Sequence, residues 1–247
     1  MKQYNFDNLK SDEHVFHMWE PLNFKIKDDY EYVCNSFIFN LISNIIYFPV
    51  ALIVIILDKI LFGFKIEDEF NVLRDTGFVS ISNHVHVMDS TMIALVYFPN
   101  RVYFPTIQNN FKIPFIRHLI RILYAMPIPD KKNQKERFYN QINGALKKNK
   151  IVQMYPEGSM WPYYDEIRNF KYGAFKMAVD ANKPIQPIKF VYRKPKGLYK
   201  LYKKKDCITA VVLKPVYPNN KLNRRDRIDD LRKRVINVMK ETIEWKY

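Results

Sequence analysis

The stretch Phe78-Val79-Ser80-Ile81-Ser82-Asn83-His84-Val85-His86-Val87-Met88-Asp89 opens as a strand and closes as the first turn of a helix. Phe78 to Ser82 has β-branched and aromatic character, and Thr91 to Phe98 carries a short helical pattern. A histidine at such a junction can stand exposed in a cleft. An aspartate five positions later can fold back and accept the Nδ1 hydrogen, which leaves Nε2 as a general base. In a continuous helix that offset would point the two side chains apart, so the pairing requires a turn between them.

Outward from this stretch, strands and helices alternate. Arg101 to Thr106, Ile151 to Tyr155, Ile185 to Tyr192 and Ile208 to Leu213 read as strands. Ile116 to Tyr124, Gln134 to Lys148, Phe170 to Ala181 and Arg225 to Trp245 read as helices. The last has Ile228, Leu231, Val235, Val238, Met239 and Ile243 on one stripe. Strands separated by helical stretches predict an α/β fold, with a central, mostly parallel or mixed sheet flanked by helices.

On the N-terminal side, Phe37 to Leu57 contains no charged residue, and its 21 positions would span about 30 Å as a helix. Asn40, Ser43, Asn44 and Pro49 interrupt it. After Asp58 and Lys59 a second apolar piece runs from Ile60 to Phe64. The pattern fits a single span, or a kinked helix or helix pair lying in the membrane interface, or a buried core helix. Met1 to Asp29 is polar and does not read as a signal peptide. The expected organisation is a polar segment over 1–36, a membrane-anchoring helical element over 37–64 and a catalytic domain over 65–247.

With 247 residues, 48% hydrophobic and 26% charged, the chain is long enough for a full core, which excludes disorder and a small disulfide scaffold. Cys34 and Cys207 read as free thiols of a reducing compartment. The net charge of +15 points to a polyanionic partner. Nine of the basic residues lie between Lys183 and Lys205 with no acid among them, interleaved with Phe190, Tyr192, Tyr199 and Tyr202. Beside an apolar anchor this segment reads as a surface for anionic lipid or a solvated rim, and nucleic acid is not the expected partner.

A His-Asp pair brings no nucleophile of its own. It suits a reaction in which a substrate hydroxyl attacks and is deprotonated as it does so. Two other chemistries fit less well. His84-x-His86 with an acid could start a metal site, but only five histidines are present and none follows His118, so no metal is expected. Ser90 and Ser159 lie outside any Gly-x-Ser-x-Gly elbow.

A second block, Tyr155-Pro156-Glu157-Gly158-Ser159-Met160-Trp161-Pro162, ends a strand and opens a loop. Together with Asn83-His84-x4-Asp89 it resembles the glycerolipid acyltransferases of the 1-acylglycerol-3-phosphate acyltransferase type, the PlsC-like family. Phe111-Lys112-Ile113-Pro114-Phe115 looks like that family's second block. Phe170-Lys171-Tyr172-Gly173-Ala174-Phe175 and Lys183-Pro184-Ile185-Gln186-Pro187-Ile188 look like its later helix start and strand. The likeness runs from about Phe78 to Tyr192.

The resemblance implies transfer of a fatty acyl group from acyl-CoA or acyl-carrier protein to a lysolipid hydroxyl, with 1-acylglycerol-3-phosphate giving phosphatidate. These are substrates; no cofactor is implied. His84 would be the general base and Asp89 its partner, and Glu157, Gly158 and Ser159 would belong to the acceptor-binding block. The bilayer would be the partner surface, with the site on its cytoplasmic side. The sequence departs from the pattern: Arg117 and Tyr124 stand where the second block's glycines are usual. Met160 stands where the family's phosphate-binding arginine is usual, and Asp130-Lys131 where the second block's arginine is usual. Lys112, Lys131, Arg168 and Lys171 are the candidate substitutes. The departures leave open a different lysolipid or glycolipid acceptor, and a non-catalytic basic membrane-binding module remains the alternative outside enzymes.

Overall fold

The computed structural model describes residues 21–241. Seven strands form one sheet: β1 (Lys65–Glu67), β2 (Phe78–Ser82), β3 (Val102–Thr106), β4 (Ala125–Pro127), β5 (Ile151–Met154), β6 (Ile185–Arg193) and β7 (Cys207–Val212), in the order β1-β7-β6-β2-β5-β3-β4. Every neighbouring pair among them is parallel except β6 and β7, so β1 and β7 run against the other five. The expected α/β sheet is thus present, mostly parallel. β1 and β4 carry no legible strand pattern, being three residues each.

All five residues of β2 are buried, as a strand covered on both faces must be. Its side chains alternate between two cores. Val79 and Ile81 join the layer formed by α4 (Lys132–Lys147), α5 (Gly173–Ala181) and α7 (Arg224–Glu241). Phe78 faces α2 (Asp89–Val96) with Met92, Ile93, Val96 and Tyr97. On that same face, Tyr97 donates from its hydroxyl to Ser80 Oγ at 2.8 Å. In α7 the predicted stripe is buried at Ile228, Leu231, Val235 and Met239; Ile243 and Trp245 lie outside the described residues. Ahead of the sheet, Ile26, Tyr32 and Val33 are buried, and Gln141 Oε1 accepts the backbone N–H groups of Tyr32 and Val33.

The element expected to be an anchor is one helix, α1 (Phe37–Phe62), which runs through Pro49 and through Asp58-Lys59. A helix pair, the other form expected, is not what forms. By length and composition α1 could cross a membrane. One side of it is docked on the domain from end to end. Asn40 Oδ1 accepts from Tyr124 Oη at 2.7 Å, Ser43 Oγ donates to Ile122 O at 2.7 Å, and Arg101 lies 3.5 Å from the Tyr47 ring centre. Further along, Asp58 meets Thr91 Oγ1 at 3.1 Å. Its outer side exposes Phe37, Ile38, Ile45, Leu52, Ile53 and Leu61. Gly63 ends it with φ 54°, and a side chain there would meet Cys207 Sγ on β7. Apolar side chains are also exposed at Phe115 just ahead of α3 (Ile116–Ile122), at Leu119 within it, and at Leu198 and Leu201 around α6 (Tyr199–Tyr202).

Candidate active site

His84 and Glu157 follow β2 and β5, adjacent parallel strands in register from Phe78 opposite Ile151 to Ile81 opposite Met154. Both therefore emerge at the carboxyl edge of the sheet, where ligands gather in parallel α/β folds. Asn83 fixes the end of β2 by donating from Nδ2 to Phe190 O at 3.1 Å and accepting from Phe190 N at 2.8 Å.

The turn that the His84–Asp89 pairing requires is present. Asp89 begins α2, and its backbone N–H donates to His86 O at 3.1 Å. Its Oδ2 lies 2.8 Å from His84 Nδ1 and also accepts the backbone N–H groups of Val85 at 2.7 Å and His86 at 3.0 Å. A carboxylate acceptor puts the hydrogen on Nδ1 and leaves the Nε2 lone pair free of it. The imidazole is 25% exposed and Asp89 is fully buried, so the pair presents a ring edge outward and keeps its charge within. Tyr155 stacks on the imidazole with centroids 4.1 Å apart and planes 17° apart. The Tyr155 phenol pairs with Ser90 Oγ at 3.2 Å. Ser90 is thus engaged away from His84.

The second block is built inward. Glu157 Oε2 accepts His84 N at 3.1 Å and Arg168 Nη2 at 2.7 Å, and Oε1 accepts Arg168 N at 3.1 Å. Arg168 Nη1 donates to Ser159 Oγ at 2.8 Å, Nη2 donates to Ser159 O, and the guanidinium lies 4.5 Å from the Trp161 ring centre. Glu157, Ser159 and Arg168 are all buried. The Glu157 and Ser159 side chains, expected in the acceptor-binding block, tie the loop after β5 to the histidine turn. Arg168 was a candidate phosphate ligand, and its guanidinium is taken up by that same loop. Trp161 N and Tyr163 N donate to His84 O and Val85 O, both at 3.0 Å, so the two loops run edge to edge.

Gly158 holds φ 82°, a conformation that favours glycine, and Lys171 lies across it: a side chain at 158 would come within 2.8 Å of Lys171 Cε and Nζ. Lys171 is therefore beside the site. Lys112 and Lys131 sit beyond the ends of β3 and β4, two and three strands away from β2 in the sheet order. At roughly 4.8 Å per strand that is about 10–14 Å to the side.

His86 faces another way. Its Nδ1 accepts Met88 N at 3.1 Å, and its ring packs 4.6 Å from Phe62 at the end of α1. Burial, more than any neighbour, lowers its pKa; the Asp89 charge opposes that, and Lys205, His84 and Lys203 add to it. Sequence reasoning missed the roles of Tyr155 and Tyr163. The only signal for the first was an aromatic residue directly ahead of Pro-Glu-Gly.

A family model described as Acyltransferase matches residues 63–191, just over half of the chain. Among solved structures, the chain is similar to the 1-acyl-sn-glycerophosphate (LPA) acyltransferase PlsC from Thermotoga maritima, with a TM-score of 0.52 and 18% identity over 85% of this chain and 96% of that one. Among curated proteins none matches.

Proposed function

Because this chain belongs to the acyltransferase family, we propose that it moves a fatty acyl group from acyl-CoA or acyl-carrier protein to the hydroxyl of a lysolipid, with 1-acylglycerol-3-phosphate as acceptor and phosphatidate as product. The observation that carries the reading is the His84–Asp89 pair at 2.8 Å, with Nε2 left as a base and the Ser90 hydroxyl paired with Tyr155. The acceptor is the one for which the Thermotoga maritima enzyme is named.

The acceptor hydroxyl lies about 3 Å from His84 Nε2. Its oxygen attacks the thioester carbonyl as its proton passes to the imidazole, and Asp89 stabilises the imidazolium. The tetrahedral intermediate collapses, the carbon–sulfur bond breaks, and the proton goes on to the leaving thiolate. A new ester and a free thiol result, and the histidine returns to its starting state. Lys171, lying along Gly158, adds positive charge at the edge of the acceptor site.

The exposed side of α1 seats the enzyme in one leaflet on the cytoplasmic side. A helix docked along its length on a folded domain cannot cross the bilayer without drawing that domain in, so lying in the interface fits better than spanning. The test is an acyl-transfer assay on the protein in neutral detergent micelles. Labelled acyl-CoA and acyl-carrier protein are each offered with lysophosphatidate and with other lysolipids, beside a His84→Ala control. Transfer to lysophosphatidate that the control lacks is the expected result. Equal signals from the two proteins would sink the reading.

A further inference from the structure

The connection from β6 to β7 folds back onto the end of α1. Tyr202 Oη donates to Ile60 O at 2.8 Å, Lys203 Nζ donates to Leu61 O, and Arg193 Nη2 donates to Gly63 O. Carbonyls at a helix end lack partners within the helix and carry the negative end of its dipole, so cations gather there for a physical reason.

Lys205 is placed differently. Its ammonium stands 4.7 Å from the centre of the Tyr163 ring. The adjacent carboxylate, Asp206, is paired with Lys194 instead. Tyr163 is held on three sides: it stacks on Tyr192 at 5.3 Å, meets His86 edge-on at 5.9 Å, and donates its backbone N–H to Val85 O, one residue from His84. A fixed aromatic platform thus carries a cation to the flank of the histidine turn. Leu198 and Leu201, 78% and 82% exposed, border the same connection. Cations beside an apolar rim sit at the depth of lipid headgroups. Meanwhile the motif's arginine position is Met160, and Arg168 is bound to Glu157.

We infer that Lys205, carried on the Tyr163 ring, binds the phosphate of the lysolipid acceptor while the acceptor hydroxyl lies at His84. The inference rests on the acyl-transfer reading above and assigns its headgroup site to a loop outside the motif. Lys203 is held at Leu61 and acts as a second positive charge behind it. The four-carbon stem of Lys205 lets the ammonium leave the ring for a phosphate oxygen.

The same chemistry would recognise an anionic bilayer, so the experiment separates the two sources. Acyl transfer is measured in neutral detergent micelles for wild type, Lys205→Met and Lys205→Arg, with lysophosphatidate and with 1-acylglycerol, the same acceptor lacking its phosphate. Binding to phosphatidylglycerol vesicles is measured alongside. Lys205→Met should raise KM for lysophosphatidate roughly 10-fold with little change in kcat, as loss of one charge-assisted hydrogen bond does. KM for 1-acylglycerol should not follow, and Lys205→Arg should restore the phosphate preference. An unchanged KM for lysophosphatidate, or an equal rise for both acceptors, overturns the inference while leaving acyl transfer in place. A defect confined to vesicle binding assigns the lysine to the bilayer and equally overturns it. If wild type acylates neither acceptor, the acyl-transfer reading fails first and this inference falls with it.

Discussion

Three donors converge on one oxygen of Asp89, and only one of them belongs to the imidazole. On the proposed mechanism the carboxylate therefore has two duties: it orients and charges the base, and it closes the turn that makes the pairing possible. Asp89→Asn should separate them. An amide oxygen can still accept the two backbone N–H groups, so the fold is kept, while transfer falls by about 10²–10⁴-fold with loss of the charge. His84→Ala should lose as much with an unchanged melting temperature. Asp89→Ala should instead lower the melting temperature, since it strips Val85 N and His86 N of their acceptor at about 1–3 kcal/mol each. Equal melting temperatures for the Asn and Ala variants would refute the second duty. Arg168→Met offers a matching test of the inward-built loop. It leaves the buried Glu157 carboxylate without its guanidinium, which costs about 3–5 kcal/mol, so destabilisation should precede any specific effect on KM. The His84–Asp89 pair was legible because both partners sit in one turn. The pairing of Arg168 with Glu157 and Ser159 was not, because an irregular loop whose path no local pattern encodes joins them.

At the scale of elements, α1 was legible in extent and apolar character, and its continuity past Pro49 was not. Proline removes one hydrogen bond from a helix; here the docked side of α1 is held on both flanks of that gap, by Ser43 and Tyr47 before it and Asp58 after it. β1 and β4 were illegible because three residues carry no periodicity. Asp58 is the element's unusual member, a fully buried carboxyl on an apolar helix. Thr91 Oγ1 has one hydrogen and two acceptors, Met88 O at 2.7 Å and Asp58 Oδ2 at 3.1 Å. Burial pushes the Asp58 pKa up to about 6, opposed by the Thr91 bond. A carboxyl whose folded pKa lies above its unfolded value of about 3.9 contributes stability that is full below the unfolded value and lost as pH rises through the folded one. The stability of wild type relative to Asp58→Asn should therefore fall between about pH 4 and pH 6, by on the order of 3 kcal/mol. Melting temperatures of the two proteins in neutral detergent across that range check it. A constant difference would show that Asp58 is charged at every pH tested.

For the whole molecule, the alternation of strands and helices gave the class, and no sequence pattern gave the order β1-β7-β6-β2-β5-β3-β4. That order depends on long-range pairings, such as β1 against β7, that no local signal carries. The exposed apolar side of α1 and the basic β6–β7 connection lie at one corner, so membrane attachment should have an apolar part and a charged part. Attachment by charge weakens steeply with ionic strength, while burial of apolar side chains does not. High salt should therefore leave the protein on membranes that carry anionic lipid; complete release by salt would mean that the exposed side of α1 does not enter the bilayer. The end-to-end docking of α1 has one more consequence for turnover. With the helix fixed to the domain, the proposed seating sets the site at a constant depth, and catalyst, acceptor and product share a plane. The search for acceptor is then two-dimensional, and its speed follows the acceptor's mole fraction in the surface. Adding inert detergent at constant total acceptor should slow the reaction, because each added molecule thins the crowd within which the enzyme looks.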